Sequence, residues 1–232
     1  NSRYEYSMGI LGSFRNIHSP QHQCSIVPHA PYSVSQTLFG LLAGTPGNAP
    51  VCIHNQETPA ENELFRYKTG DFIDFYNHFG MDASAFQPTG TNSLEGYLSY
   101  FSQNKILLVH NTFTTEQDIQ YAQQQPVETW WCLCPQANLY IEDRLPDIPL
   151  LRQLQCNITL GTDSLASNHY LSVWEEVKTI RRYFPEIPLE EILQWATFNG
   201  ARALGIQATY GSFNTGCKPG VVLINQESNR II

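Results

Sequence analysis

Five short apolar runs recur along the chain, each closing on a polar residue. They are Ser25-Ile26-Val27 before Pro28-His29, Val51-Cys52-Ile53 before His54, Ile106-Leu107-Leu108-Val109 before His110, Trp130-Trp131-Cys132-Leu133 before Cys134-Pro135, and Asn157-Ile158-Thr159-Leu160 before Gly161-Thr162-Asp163. The runs are apolar throughout rather than alternating, so each reads as a strand buried on both faces, the state of parallel strands covered by helices. The run ends are spaced by 25, 56, 24 and 29 residues. Three of these four intervals match one strand plus one crossover helix, which predicts an α/β chain of repeated βα units. The helix after the last run is legible: Pro188 at its start, Glu190 and Glu191 in the first turn, apolar residues at 189, 192, 193 and 196, and Gly205 after Leu204 as a stop.

The 56-residue interval holds about one unit's worth of extra chain, rich in aromatic residues from Phe65 to Phe86 and then in turn residues. It is too apolar for a floppy linker. It reads as an insertion, about 64–95, packed over the C-terminal ends of the strands or as a packed surface excursion. A sixth apolar run, Val221-Val222-Leu223-Ile224, follows Cys217-Lys218-Pro219-Gly220 and is expected in a separate small sheet.

Composition narrows the class. Of the 232 residues, 15% are charged, against about a quarter in an average domain, and 12% are aromatic, so most of the chain belongs in a core. The net charge of −8 argues against nucleic acid or an anionic membrane as partner, since both require a basic face. No apolar run approaches the roughly 20 residues that span a bilayer, and the first residues lack a signal-peptide core, so the expected location is cytoplasmic. The six cysteines contain no Cys-x-x-Cys pair. Cys132 and Cys134 share a strand face, but nothing nearby completes a tetrahedral metal set, so they read as small buried hydrophobes.

Candidate chemistry lies where the runs end. Parallel strands of a closed barrel converge at their C-terminal ends, which would gather His29, His54, His110 and Asp163 around one pocket. Any one histidine alone reads as a hydrogen-bonded core or loop residue, but three at strand ends with an aspartate on another suit a divalent transition metal such as zinc. Glu57, three residues past His54, can turn back over that metal as a general acid/base. A first-turn carboxylate favoured by the helix dipole is the plainer reading of Glu57, and Glu61 and Glu63 are competitors further along the same helix.

These residues carry a resemblance. Pro28-His29-Ala30-Pro31-Tyr32-Ser33, Ile53-His54-Asn55-Gln56-Glu57-Thr58, Val109-His110-Asn111, Cys134-Pro135-Gln136-Ala137-Asn138 and Leu160-Gly161-Thr162-Asp163-Ser164-Leu165-Ala166-Ser167-Asn168 resemble the later barrel strands of the amidohydrolase superfamily. Within it the chain is most similar to methylthioadenosine/S-adenosylhomocysteine deaminases and chlorohydrolases. The resemblance covers roughly residues 25 to 224, with the motifs in family order. It implies a (β/α)8 TIM barrel of the metal-dependent hydrolase type, with only the later strands in residues 1–205 and the return to a small β-sandwich in 206–232. It also implies zinc, or iron, held by His54 and Asp163, proton transfer by Glu57 and Asp163, water or intermediate held by His110, and substrate contacts from His29, Glu57 and Asn138. The expected reaction is deamination of a small molecule with a nucleobase-like ring. Alternatives on the same fold are a cyclic amidase, a chlorohydrolase or an inactive barrel fragment that acts as a binding module, and a homo-oligomer is one of the assemblies left open.

Two departures from the family pattern stand out. No His-x-His, the first-strand pair of metal ligands, occurs in the 232 residues, and the fifth-strand motif already falls at His54. The chain is therefore expected to be the C-terminal portion of a longer protein. The second is Cys217-Lys218-Pro219-Gly220, where the family more often returns to its sandwich through a Lys-x-Ala-Asp-Leu type of segment.

Overall fold

Four of the five apolar runs become strands of one parallel sheet: β1 (Val51–Asn55), β2 (Lys105–His110), β3 (Glu128–Leu133) and β4 (Ile158–Leu160). The computed structural model describes residues 2–17, 22–47, 50–225 and 230–231. Strand order follows chain order, with His54 beside Val109, Val109 beside Cys132, and Leu133 beside Leu160. A doubly wound sheet would reverse at a switch point, so the sequential order is that of a barrel segment.

Helices fill the intervals. In chain order they are α1 (Ser2–Ile17), α2 (Gln36–Ala43), α3 (Pro59–Tyr67), α4 (Asp71–His78), α5 (Ser93–Tyr97), α6 (Glu116–Gln124), α7 (Pro135–Glu142), α8 (Ile148–Gln153), α9 (Val173–Tyr183), α10 (Leu189–Gln194) and α11 (Gly200–Ala203), the last two joined by a π turn over Trp195–Asn199. Their starts follow local chemistry. Thr115 and Asp118 form a reciprocal capping box on α6, and Asp147 accepts the Leu150 N–H at the start of α8. Pro188 precedes α10, and Gly205, at φ 72°, ends the helical segment as expected. No helix of the described residues is long and apolar enough to cross a membrane.

Both faces of the sheet are apolar, which is why the runs do not alternate. Val51, Ile53, Ile106, Leu108, Trp131, Leu133 and Ile158 pack with Ile119, Val177, Ile180, Ile192 and Trp195 in the main core. Cys52, Val109, Cys132, Cys134 and Ala137 gather on the other face. All six cysteines are free thiols.

One expectation resolves differently. The run at 25–28 is extended but is not a ladder strand: it gives β1 a single backbone bond, from the His54 N–H to the His29 carbonyl at 2.9 Å. The 56-residue interval forms α3, α4 and α5, and its rings cluster among themselves as Leu64, Phe65, Phe72, Tyr76 and Phe86 around Tyr32. Tyr32 stacks on Phe72 at 4.0 Å, and the Tyr76 hydroxyl donates to the Tyr32 carbonyl at 2.5 Å. Of the final apolar run only Ile224 enters a strand, in the separate antiparallel pair of β5 (Ile224–Asn225) with β6 (Arg230–Ile231), while Val221, Val222 and Leu223 stay exposed ahead of it.

Two details of the sheet's polar end generate tests. The Glu176 carboxylate on α9 is fully buried and accepts the Gln136 N–H at 2.8 Å and the Asn168 amide at 2.8 Å, tying the turn after β3 to the loop after β4. Burial pushes its pKa up to about 7. A carboxyl that is more basic folded than unfolded binds extra proton in the native state, so it removes stability as pH rises from about 4.5 through about 7. Urea midpoints across that window should fall for the parent protein and fall less for Glu176→Gln; equal slopes would remove Glu176 as a source. Gly161 sits where a Cβ would lie 2.9 Å from Cys132 Sγ and 3.3 Å from Cys134 Sγ. Gly161→Ala should therefore cost about 1–3 kcal/mol by overpacking, with most of it recovered in the double variant that adds Cys132→Ala. Additive losses in the melting curves would show that the thiol is not the obstacle.

Candidate active site

Strand alternation alone would not assemble this site. On β1, Val51, Ile53 and Asn55 are buried on the helix side, which leaves Cys52 and His54 on the opposite face. On β2, Val109 is the register partner of His54, while Ile106 and Leu108 face the helices. Regular alternation would send His110 out with Ile106 and Leu108. Instead His110 and Asn111 take φ values of 75° and 61°, two consecutive non-glycine residues in the left-handed region. Each costs on the order of 1–3 kcal/mol and persists only where its surroundings fix it.

The surroundings are a buried amide network. Asn111 gives its backbone N–H to the Asn55 carbonyl at 3.0 Å and its side-chain amide to the Leu108 carbonyl at 2.7 Å. The Asn55 amide donates to Asn111 Oδ1 at 2.9 Å, and the Tyr97 hydroxyl donates to Asn55 Oδ1 at 2.7 Å. Left-handed backbone also follows β1 and β4, at Gln56 (φ 47°) and Asp163 (φ 55°). The turn at β2 brings the His110 ring back toward β1, with Nε2 2.9 Å from His54 Nδ1.

Glu57 completes the group. Its carboxylate lies 3.5 Å from His54 Nδ1 and 3.4 Å from His110 Nε2. One ligand atom from each of His54, Glu57 and His110 lies within 4.8 Å of the others, a spacing that suits a metal ion. The His110 side chain is 0% exposed, Glu57 14% and His54 24%, so the group opens to one side only. Burial depresses His110 as a base, against the pull of the Glu57 charge. Burial works most strongly against charge on His54 and Glu57, but their mutual hydrogen bond and the surrounding charges together outweigh it, raising the His54 pKa and lowering that of Glu57.

The other expected residues distribute around this group. The exposed His29 stands with its ring 4.8 Å from that of His54, edge to face. Asp163 is half-buried and accepts a hydrogen bond from the Ser167 hydroxyl. It stands outside the three-donor group, yet its charge is felt by His54, Glu57 and His110 alike. Asn138, expected at the substrate, is 1% exposed; its amide donates to Thr112 Oγ1 and reaches the His110 carbonyl at 3.5 Å. It therefore supports His110 from below rather than facing open space. Of the competitors of Glu57, Glu63 accepts from Thr69 at 3.1 Å on the surface, and Glu61 is fully buried in other bonds.

Sequence reasoning passed over Tyr32 and Asn55, and weighed Glu61 only as a competitor of Glu57. Tyr32 has its phenol pKa raised by burial and then by the charges of Glu57 and Glu61, which sets it beside the site. A cleft of about 380 Å³ opens from Tyr32 between Phe39, Phe65, Tyr76 and Phe86. The available signal was position: Tyr32 follows His29 by three residues, and Asn55 and Asn111 each follow a strand-end histidine.

Comparison with known proteins agrees with the fold and the motifs. The sequence is 30% identical over 209 residues to the 5'-deoxyadenosine deaminase of Methanocaldococcus jannaschii, covering 85% of this chain and 44% of that protein. Its structure superposes on Helicobacter pylori aminofutalosine deaminase in complex with methylthio-coformycin with a TM-score of 0.79 at 21% identity, covering 94% of this chain and 53% of that one. An adenosine deaminase from Xanthomonas campestris with bound zinc gives a TM-score of 0.73 at 23% identity, over 94% and 47% of the two chains. The chain thus spans about half the length of the relatives it matches. The family model described as "Amidohydrolase family" matches residues 25–232, and with strands, strand-end histidines and acidic partners in this arrangement the chain belongs to the amidohydrolase family.

Proposed function

We propose that this chain supplies the acid–base half of a metal-dependent aminohydrolase that replaces an exocyclic amine on a nucleoside-like ring with oxygen and releases ammonia. The observation that carries the reading is the meeting of His54, Glu57 and His110 within 4.8 Å at the ends of adjacent parallel strands. An imidazole and a carboxylate are donors suited to zinc, with iron the alternative. His54 and Asp163 would hold the ion, with His110 Nε2 beside it. When bound, such an ion supplies an ionised water at neutral pH by lowering its pKa from 15.7 to about 7.

The protein's own residues then account for the protons. Glu57, whose carboxylate reaches both imidazoles, would take one proton of the attacking water and deliver it to the ring nitrogen, and would later pass to the departing amine the second water proton, received from Asp163, so that ammonia leaves. Asp163 would take that second proton of the attacking water, and His110 Nε2 would hold the oxygen that enters the ring. His29, on the exposed side of His54, would contact the substrate. The names of the relatives, deaminases of 5'-deoxyadenosine and adenosine, support an adenosine-like ring as the reacting group. Residues 1–205 would form the barrel portion and 206–232 the start of the small sandwich.

In the complete, zinc-loaded protein, Glu57→Gln should lower kcat for ammonia release by about 10²–10⁴-fold, the usual worth of a positioned general acid/base. Zinc content measured on the same sample should stay near that of the parent. Turnover retained in the variant would remove Glu57 from the reaction.

A further inference from the structure

Glu61 is the one competitor of Glu57 that the structure buries completely, and its bonds lead back to the site. In sequence, Thr58-Pro59-Ala60-Glu61 reads as a capping box, in which the hydroxyl and the carboxylate would satisfy each other's backbone N–H groups. The structure does not build that box. Thr58 makes no side-chain cap bond, and among the described residues its hydroxyl has no partner. Glu61 reaches past the cap instead: Oε1 accepts the Gln56 N–H at 2.9 Å and the Ser93 hydroxyl at 2.5 Å. The neighbouring Glu57 N–H also favours its charge.

The residue so held is the left-handed one. Gln56, at φ 47°, joins β1 to the turn that carries Glu57. Its side chain is fixed as well, by the Thr114 hydroxyl donating to Oε1 at 2.6 Å and by its own amide donating to Asn62 at 3.3 Å. We infer that Glu61 is a positioning residue, whose buried carboxylate holds the backbone of Gln56 and Glu57 in the turn that aims the Glu57 side chain at His54 and His110. A helix cap alone would not need a carboxylate with 0% exposure, burial of which pushes its pKa up to about 7. Its second oxygen has no partner, so the oxygen facing the turn is the one the fold uses.

The inference builds on the reading of Glu57 as the proton carrier, and its test separates the two. The complete, zinc-loaded protein is compared with Glu61→Ala and Glu61→Gln, the second of which keeps an acceptor oxygen in place. Amide hydrogen exchange should quicken at Gln56 and Glu57 in the alanine variant, return toward the parent rate in the glutamine variant, and stay unchanged on β2 in both. The kcat for ammonia release should fall about 10–100-fold in the alanine variant, as a misplacement of about 1 Å would cause, and recover in the glutamine variant. KM and zinc content should stay near those of the parent. The exchange result stands whether or not the parent deaminates, so a failure of the proposed reaction would appear in the activity arm alone. Parent-like exchange at Gln56 and Glu57 in Glu61→Ala would overturn the inference, as would a glutamine variant no better than alanine. If Glu61→Ala does not fold, Glu61→Asp withdraws the carboxylate by one methylene and should give the same pattern at reduced size, with parent-like exchange again overturning it.

Discussion

A strand that must be apolar on both faces has no place for a charged side chain until it leaves the sheet. That constraint shapes this molecule. One face of the four strands packs into the helical core and the other into the cluster of Cys52, Val109 and Cys132, so ionisable groups are pushed to the strand ends. Parallel strands all end on the same side, and the site is where their ends meet.

Convergence still leaves the alternation of side chains to be overcome. His54 lies on the correct face by register, but His110 does not, and the backbone reverses into left-handed geometry to bring it round. The cost falls on the polar ring beneath the site, where Asn55, Asn111 and Tyr97 exchange hydrogen bonds and leave the turn no easy alternative. Glu176 and Glu61 extend the same device to the loops, each a buried carboxylate receiving backbone N–H groups next to a strand end. Strain at the reacting groups is thus offset by hydrogen bonds one layer away.

Much of this was legible in the sequence. Runs apolar throughout, spaced by about one βα unit, give the parallel sheet, and polar residues at their ends give His54, Glu57 and His110. The first run failed as a strand because an apolar pattern does not reveal how much of it pairs: it gives β1 one backbone bond, from the His29 carbonyl. Asn138, expected at the substrate, lies buried with its amide on Thr112 and near the His110 carbonyl, a placement that periodicity does not reveal. The roles of Glu61 and Asn111 were hidden for a different reason: left-handed backbone at a non-glycine residue leaves almost no mark on composition. Asparagine after a strand-end histidine is the one hint, because its short amide tolerates that geometry.

The central claim is that groups distant along the chain form one metal-binding, proton-transferring centre. X-ray absorption at the zinc edge of the complete, loaded protein tests it most directly, with His54→Ala as the comparison. Nitrogen scatterers at about 2.0–2.1 Å in the parent, reduced in the variant, are the predicted result. A zinc spectrum that His54→Ala leaves unchanged would contradict the account.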